Sequence, residues 1–229
     1  MFFGPDYQEH ACLRDGTPVL LRLIRPDDKE LLRRGFLRLS PESRYRRFFA
    51  AKVDLTPDEL RYLTEVDGVD HVALGAVTAD GRNGLGVARF IRLAGERGTA
   101  EAAIAVVDEI QGKGLGSLLF QRLVAAARER GVERFRCDML GSNRGMVDLV
   151  LASAPDASAV VHDGVVSMEF RLPPLGPEHP AAEPPRESGL YRLFAMVARG
   201  ALEWTSRWQE LGLRLMGGVD SDSWDGSRD

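Results

Sequence analysis

The chain has 229 residues, 44% of them hydrophobic and 28% charged, which is the make-up of an ordinary soluble globular protein with enough apolar material for a core. Thirty Lys and Arg against 34 Asp and Glu leave a net charge of −4, with no basic excess to hold a phosphate backbone, so nucleic acid is not an expected partner. Two cysteines and four histidines at no ligand spacing exclude a disulfide framework and a metal cluster; no apolar run reaches the ~18 residues of a membrane span and residues 1–10 lack a basic leader region, so the expected location is cytoplasmic.

Residues 19–24 read as a short strand, ended by Arg25 and Pro26 before an Asp27-Asp28 pair that can cap a helix. Residues 29–39 place Leu31, Leu32, Phe36 and Leu39 on one helical face. Ser40-Pro41-Glu42 stops that helix and opens another through Phe49. Thr56-Pro57-Asp58-Glu59 is an N-cap with proline at the first helical position, launching residues 59–65. Two β runs, 71–78 and 85–93, are joined by a hairpin across 80–84, and 99–107 is a third. Residues 114–130 predict a long amphipathic helix with Leu115, Leu118, Leu119, Leu123 and Ala126 inward, ended by Gly131. A strand at 135–140, a helix from Asn143 and strands at 159–161 and 165–172 complete a mixed α/β (α+β) domain over residues 1–172.

Composition then changes. Residues 173–187 carry six of the twelve prolines and no apolar period, the mark of an extended linker. Residues 188–216 read as one helix with Leu190, Phe194, Val197, Ala201, Trp204, Trp208, Leu211 and Leu215 in a heptad seam. Three readings of it stand: packing on its own domain, pairing with a second copy as a homodimer, or peripheral contact with an anionic membrane surface. Residues 217–229 are acidic and rich in Gly and Ser, so disorder is expected there.

The chemistry concentrates where the third strand of the central run meets the long helix. Gly112, Gly114 and Gly116 sit in the turn, with Gln111, Lys113 and Leu115 between them and Ser117 following. Glycines let main-chain amides approach an anion, and the unbonded N–H groups and dipole of a helix start stabilise a phosphate. A dinucleotide fingerprint fails because Ser117 stands where its third glycine belongs, and no nucleotide-triphosphate loop of the G-x-x-x-x-G-K-[ST] type occurs. Glu101, Ala103 and Ala105 share one face of the strand and Ala102, Ile104 and Val106 the other. Arg33, Arg34, Arg38, Arg44, Arg46 and Arg47 form a basic cluster that reads either as a solvated face with pairs such as Glu42–Arg46 or as a contact for an acidic surface or a phosphate. Cys137 reads as core, and His71 and His162 as structural.

Gln111-Gly112-Lys113-Gly114-Leu115-Gly116 resembles the acyl-CoA loop of the GNAT N-acetyltransferase superfamily, Q/R-x-x-G-x-G/A. The resemblance covers about residues 17–172. It implies a GNAT-like splayed, mostly antiparallel central sheet flanked by helices, with acetyl-CoA as cosubstrate between two diverging strands and no metal. Amides of Gln111, Gly112, Lys113, Gly114, Leu115, Gly116 and Ser117 would bind the pyrophosphate, main-chain groups of Val106 and Val107 the pantetheine arm, and Asn143 would touch the cofactor beyond the second strand. Pro41-Glu42-Ser43-Arg44-Tyr45-Arg46-Arg47-Phe48-Phe49, Ala100-Glu101-Ala102 and Asn143-Arg144-Gly145-Met146 further resemble the acetyltransferase domain of bacterial protein lysine acetyltransferases. In that group the acid matching Glu101 is the proposed general base, and the acceptor is an amine, here preferably a protein lysine. A small-molecule amine acetyltransferase and a non-catalytic acyl-CoA sensor are the alternatives. Many superfamily members carry a tyrosine, as general acid, on the helix after the Asn143 position; this chain has none between residues 143 and 172.

Overall fold

The computed structural model describes residues 2–172, apart from residues 97 and 156. The linker, heptad helix and acidic tail expected at 173–187, 188–216 and 217–229 lie outside the described residues. Eight strands form one sheet: β1 (Gln8–Cys12), β2 (Pro18–Leu23), β3 (His71–Thr78), β4 (Gly84–Arg92), β5 (Thr99–Val106), β6 (Arg134–Leu140), β7 (Ser158–His162) and β8 (Val165–Arg171). Five helices accompany them: α1 (Lys29–Leu37), α2 (Pro41–Phe48), α3 (Pro57–Thr64), α4 (Leu115–Glu129) and α5 (Arg144–Ser153). The spatial order is β1-β2-β3-β4-β5-β6-β8-β7, antiparallel throughout except for β5 beside β6.

The caps follow the sequence closely. Ser40 Oγ accepts from the Ser43 N–H at 3.1 Å to open α2. Thr56 and Glu59 form a reciprocal capping box, with the Thr56 N–H donating to Glu59 at 2.8 Å and the Glu59 N–H to Thr56 Oγ1 at 3.3 Å. Proline at the first position starts α3 at Pro57, two residues before the expected residue 59. Strand β1 is an addition to the expected set. Gln-Glu-His-Ala-Cys has no β-branched or aromatic residue to announce it, and as an edge strand it exposes alternate side chains. Pairing to β2 holds it, together with Glu9, which ion-pairs Arg122 of α4 at 2.6 Å and accepts from the Tyr7 hydroxyl at 2.5 Å.

The two faces of the sheet differ. Helix α4 covers β3, β4 and β5 with Leu115, Leu119 and Leu123, all essentially without exposure. Phe120 of α4, Phe135 of β6 and Phe170 of β8 pack at ring-centroid separations of 6.1–6.4 Å, each burial contributing about 1.5–3 kcal/mol. On the opposite face α1 lies on β4, and α2 crosses β5 and β6. This second face carries the charged groups: Arg89 of β4, Glu101 of β5 and, on β6, Arg136 and Asp138.

One departure from a regular sheet positions everything that follows. Strands β5 and β6 pair only at Thr99–Arg134, Ala100–Phe135 and Glu101–Arg136, after which they diverge. The parallel connection between them runs through α4. Beyond Glu101 the inner edges of both strands are therefore left open, and the sheet forks.

Candidate active site in the fork of the sheet

The loop from β5 to α4 owes its shape to two glycines. Gly112 has φ +76° and Gly114 φ +93°, left-handed conformations that other residues adopt only with strain. The first bond into the helix runs from the Leu118 N–H to the Gly114 carbonyl at 3.1 Å, so the amides of Leu115, Gly116 and Ser117 are left for another acceptor. A Cβ on Gly116 would meet no atom within 4 Å, so the helix start faces open space. Two of the expected loop amides are already used: Gln111 N–H bonds the Asp108 carbonyl at 3.2 Å and Lys113 N–H the Ile110 carbonyl at 3.4 Å. The Lys113 ammonium also turns away, to Asp15 at 3.0 Å, and the Leu115 side chain is core.

The fork holds a cleft of about 260 Å³ lined by Ile104, Ala105 and Val106 of β5, Gln111, Gly112 and Gly116 of the loop, and Asn143, Gly145, Met146 and Leu149 at the β6 side. Leu39, Ser43, Arg46 and Arg47 close it from the α2 side. The Val107 N–H donates to the Leu85 carbonyl at 3.0 Å and the Val107 carbonyl accepts from Ile110 at 3.0 Å, so this buried residue has no main-chain group to offer the cleft. That corrects the expectation for Val107. Because main-chain groups alternate along an antiparallel strand, the same bond turns those of Val106 and Ile104 toward the fork. The Val106 carbonyl takes the Gln111 side-chain amide at 3.0 Å, which ties the loop to the strand end and leaves the Val106 N–H. Ile104 joins the expected set. Asn143 caps α5 by accepting from the Met146 N–H at 3.4 Å while lining the cleft.

Glu101 sits at the vertex, in the last pair before the strands part. It is half-buried, on the face beneath α2, rather than turned to solvent. Burial raises its carboxyl above the ordinary range and the charge of Asp138 raises it further, while Arg47 and Arg136 pull it back. Cys137 is core, its thiol pushed up by burial, in agreement with the sequence reading. His71 is lowered to about 4 by burial first and Arg89 second, so it is neutral, and it lies 3.1 Å from the Arg89 guanidinium. His162 is exposed beside Asp163.

Most of the basic cluster is surface pairing. Arg33 binds Asp54 at 2.5 Å, Arg38 binds Glu109, Arg44 donates to three carbonyls and Arg46 pairs Glu42 at 2.6 Å. Arg47, which lines the cleft beside Arg46, differs in having no carboxylate partner among the described residues and in also lining an apolar cavity of about 80 Å³ beneath α1 and α2. The spacing of Ser43, Arg46 and Arg47 as one helical face was the available signal for these three cleft residues.

The pattern that describes the acetyltransferase (GNAT) family matches residues 28–150, from the residue before α1 into α5. This chain belongs to that family. The GNAT domain is 36% identical over 171 residues to acetyltransferase Pat of Mycolicibacterium smegmatis, a match spanning 71% of this chain and 48%, about half, of that protein. It is similar to the GNAT domain of S. lividans PAT, with 32% identity, a TM-score of 0.66 and coverage of 72% of this chain and 97% of the other. At 19% identity and a TM-score of 0.52, over 70% of this chain and 98% of the other, it shares its fold with yncA of Salmonella typhimurium, whose structure was solved with acetyl-CoA.

Proposed function

We propose that this GNAT domain transfers an acetyl group from acetyl-CoA to an amine, preferably a protein lysine, by direct attack. The observation that carries the reading is the fork itself: unbonded helix-start amides at its mouth, an open strand edge along one side and a carboxylate at its vertex. The mouth fits a pyrophosphate, since Gly116 leaves the space clear and the dipole of α4 favours an anion. Gly112, Leu115, Gly116 and Ser117 would hold the phosphates by their amides; Ile104 and Val106 would hold the pantetheine arm as a neighbouring strand does. Acetyl-CoA supplies an activated acyl group. Glu101 does what an amine needs at neutral pH, where a lysine of reference pKa ~10.4 arrives as ammonium: its carboxylate removes the proton, directly or through water, and frees the attacking lone pair.

The test is release of free CoA thiol from acetyl-CoA over a panel of protein-lysine and small amine acceptors. Release that depends on the acceptor, and strongest with a lysine-bearing protein, is expected. Binding of acetyl-CoA with no release for any acceptor would favour an acyl-CoA sensor instead.

A further inference from the structure

Transfer of an acyl group leaves a negative charge on sulfur, and the cleft must meet it. Helix α5 supplies no acid for this: its cleft-lining residues are Gly145, Met146 and Leu149. Asn143 uses its carbonyl oxygen to cap α5 and keeps only a neutral amide donor, and Gln111 gives its side-chain amide to the Val106 carbonyl. The cleft contains two cations, Arg46 and Arg47. Arg46 is neutralised by Glu42 at 2.6 Å. Arg47 is half-buried, its guanidinium lies 5.1 Å from the Phe48 ring centroid, and among the described residues it makes no ion pair or hydrogen bond with a carboxylate. Its nearest charges act at longer range: Glu101 on β5 and Arg89 on β4, with the Tyr62 hydroxyl on α3 beside them. A cation turned inward without a paired anion is costly unless an anion arrives during function.

We infer that Arg47 is a catalytic residue of this site, stabilising the thiolate that departs when the acyl group is transferred. The inference rests on the acetyl-CoA reading above. In that step the amine nitrogen bonds the thioester carbon, and the carbon–sulfur bond breaks with its electron pair going to sulfur. The ammonium proton passes through Glu101 to water before attack, the second nitrogen proton leaves to the same carboxylate as the tetrahedral intermediate collapses, and the thiolate, held opposite the guanidinium, is later protonated by water. Arg47 thereby does electrostatically what a general acid on α5 does by proton transfer. Its position beside Glu101 also keeps the base ionised, because positive charge opposes the effects of burial and of Asp138 on that carboxyl.

The test reads the sulfur directly. Free CoA is titrated into the full chain and the ultraviolet absorbance of its thiolate is followed against pH. In the wild-type protein the bound thiol should ionise about one pH unit below that of free CoA titrated alongside, and in R47M that shift should vanish. R47M should also lose about 10²–10³-fold in kcat with acetyl-CoA affinity within threefold of wild type, and R47K should recover part of the loss. A wild-type bound thiol that ionises at or above the free value would overturn the inference, whether or not any variant folds. So would folded R47M with an unchanged thiol titration and kcat within threefold. Failure of CoA and acetyl-CoA to bind at all would instead remove the acetyl-CoA reading on which the inference stands.

Discussion

Replacing Glu101 by glutamine is expected to lower kcat by about 10²–10³-fold at neutral pH while acetyl-CoA affinity stays within threefold. Glutamine keeps the shape at the vertex and its place beside Arg136 but cannot take a proton. Steady-state kinetics against pH separates this from a packing defect. In the wild-type enzyme kcat should fall as pH drops through the raised pKa of Glu101, because protonation removes the base. In E101Q that limb should be absent. A kcat within threefold of wild type, or a limb that persists, would remove Glu101 as the base.

The same burial has a consequence for stability. A carboxyl whose folded pKa is raised binds its proton more tightly when folded, so ionising it works against the fold. Its contribution is neutral below the unfolded value of ~4.3 and becomes unfavourable as pH rises through the folded value. E101Q should therefore unfold at a higher temperature than wild type at pH 7 and at the same temperature in strong acid. A functional group that costs stability is what a site, rather than a structural ion pair, is expected to contain.

Gly116→Asp is expected to abolish measurable acetyl-CoA binding, a loss of at least about 10²-fold, while leaving the fold as stable or more so. Gly116 is helical, without a positive φ, and its added Cβ would enter open space. Aspartate in the first helical turn gains from the dipole by about 0.3–1 kcal/mol. The same carboxylate occupies the anion position and repels phosphate. Gly114→Ala should behave in the opposite way: with φ +93° and the Arg14 side chain 3.3 Å from the new Cβ, it strains the loop and loses stability together with binding. Thermal unfolding and calorimetric titration of the two variants side by side would check the contrast; retained acetyl-CoA affinity in G116D would contradict the placement of the phosphates.

The loop was legible in the sequence because backbone geometry wrote it there. Left-handed turns at 112 and 114 demand glycine, and Gln111 is the side chain that ties the loop to Val106. Helix starts were legible for a similar local reason, since Ser40 and Thr56 satisfy donors three residues away. What depended on tertiary direction was not. Whether Val107 or Ile104 faces the fork is decided by the pairing with Leu85 of β4, and a shift of one residue reverses it. Arg46 and Arg47 are adjacent in a run of basic residues and both line the cleft, yet Arg46 pairs with Glu42 while Arg47 has no carboxylate partner among the described residues, a difference the sequence does not carry. Strand β1 carries no β-forming side chains and is held by a neighbour and a distant ion pair.

The most direct measurement is calorimetric titration of the full 229-residue chain with acetyl-CoA. Saturable binding at one acetyl-CoA per chain is expected, with affinity that weakens as salt screens the phosphates at the start of α4. Absence of saturable binding to acetyl-CoA by the folded chain would contradict the assignment of the fork as an acyl-CoA site.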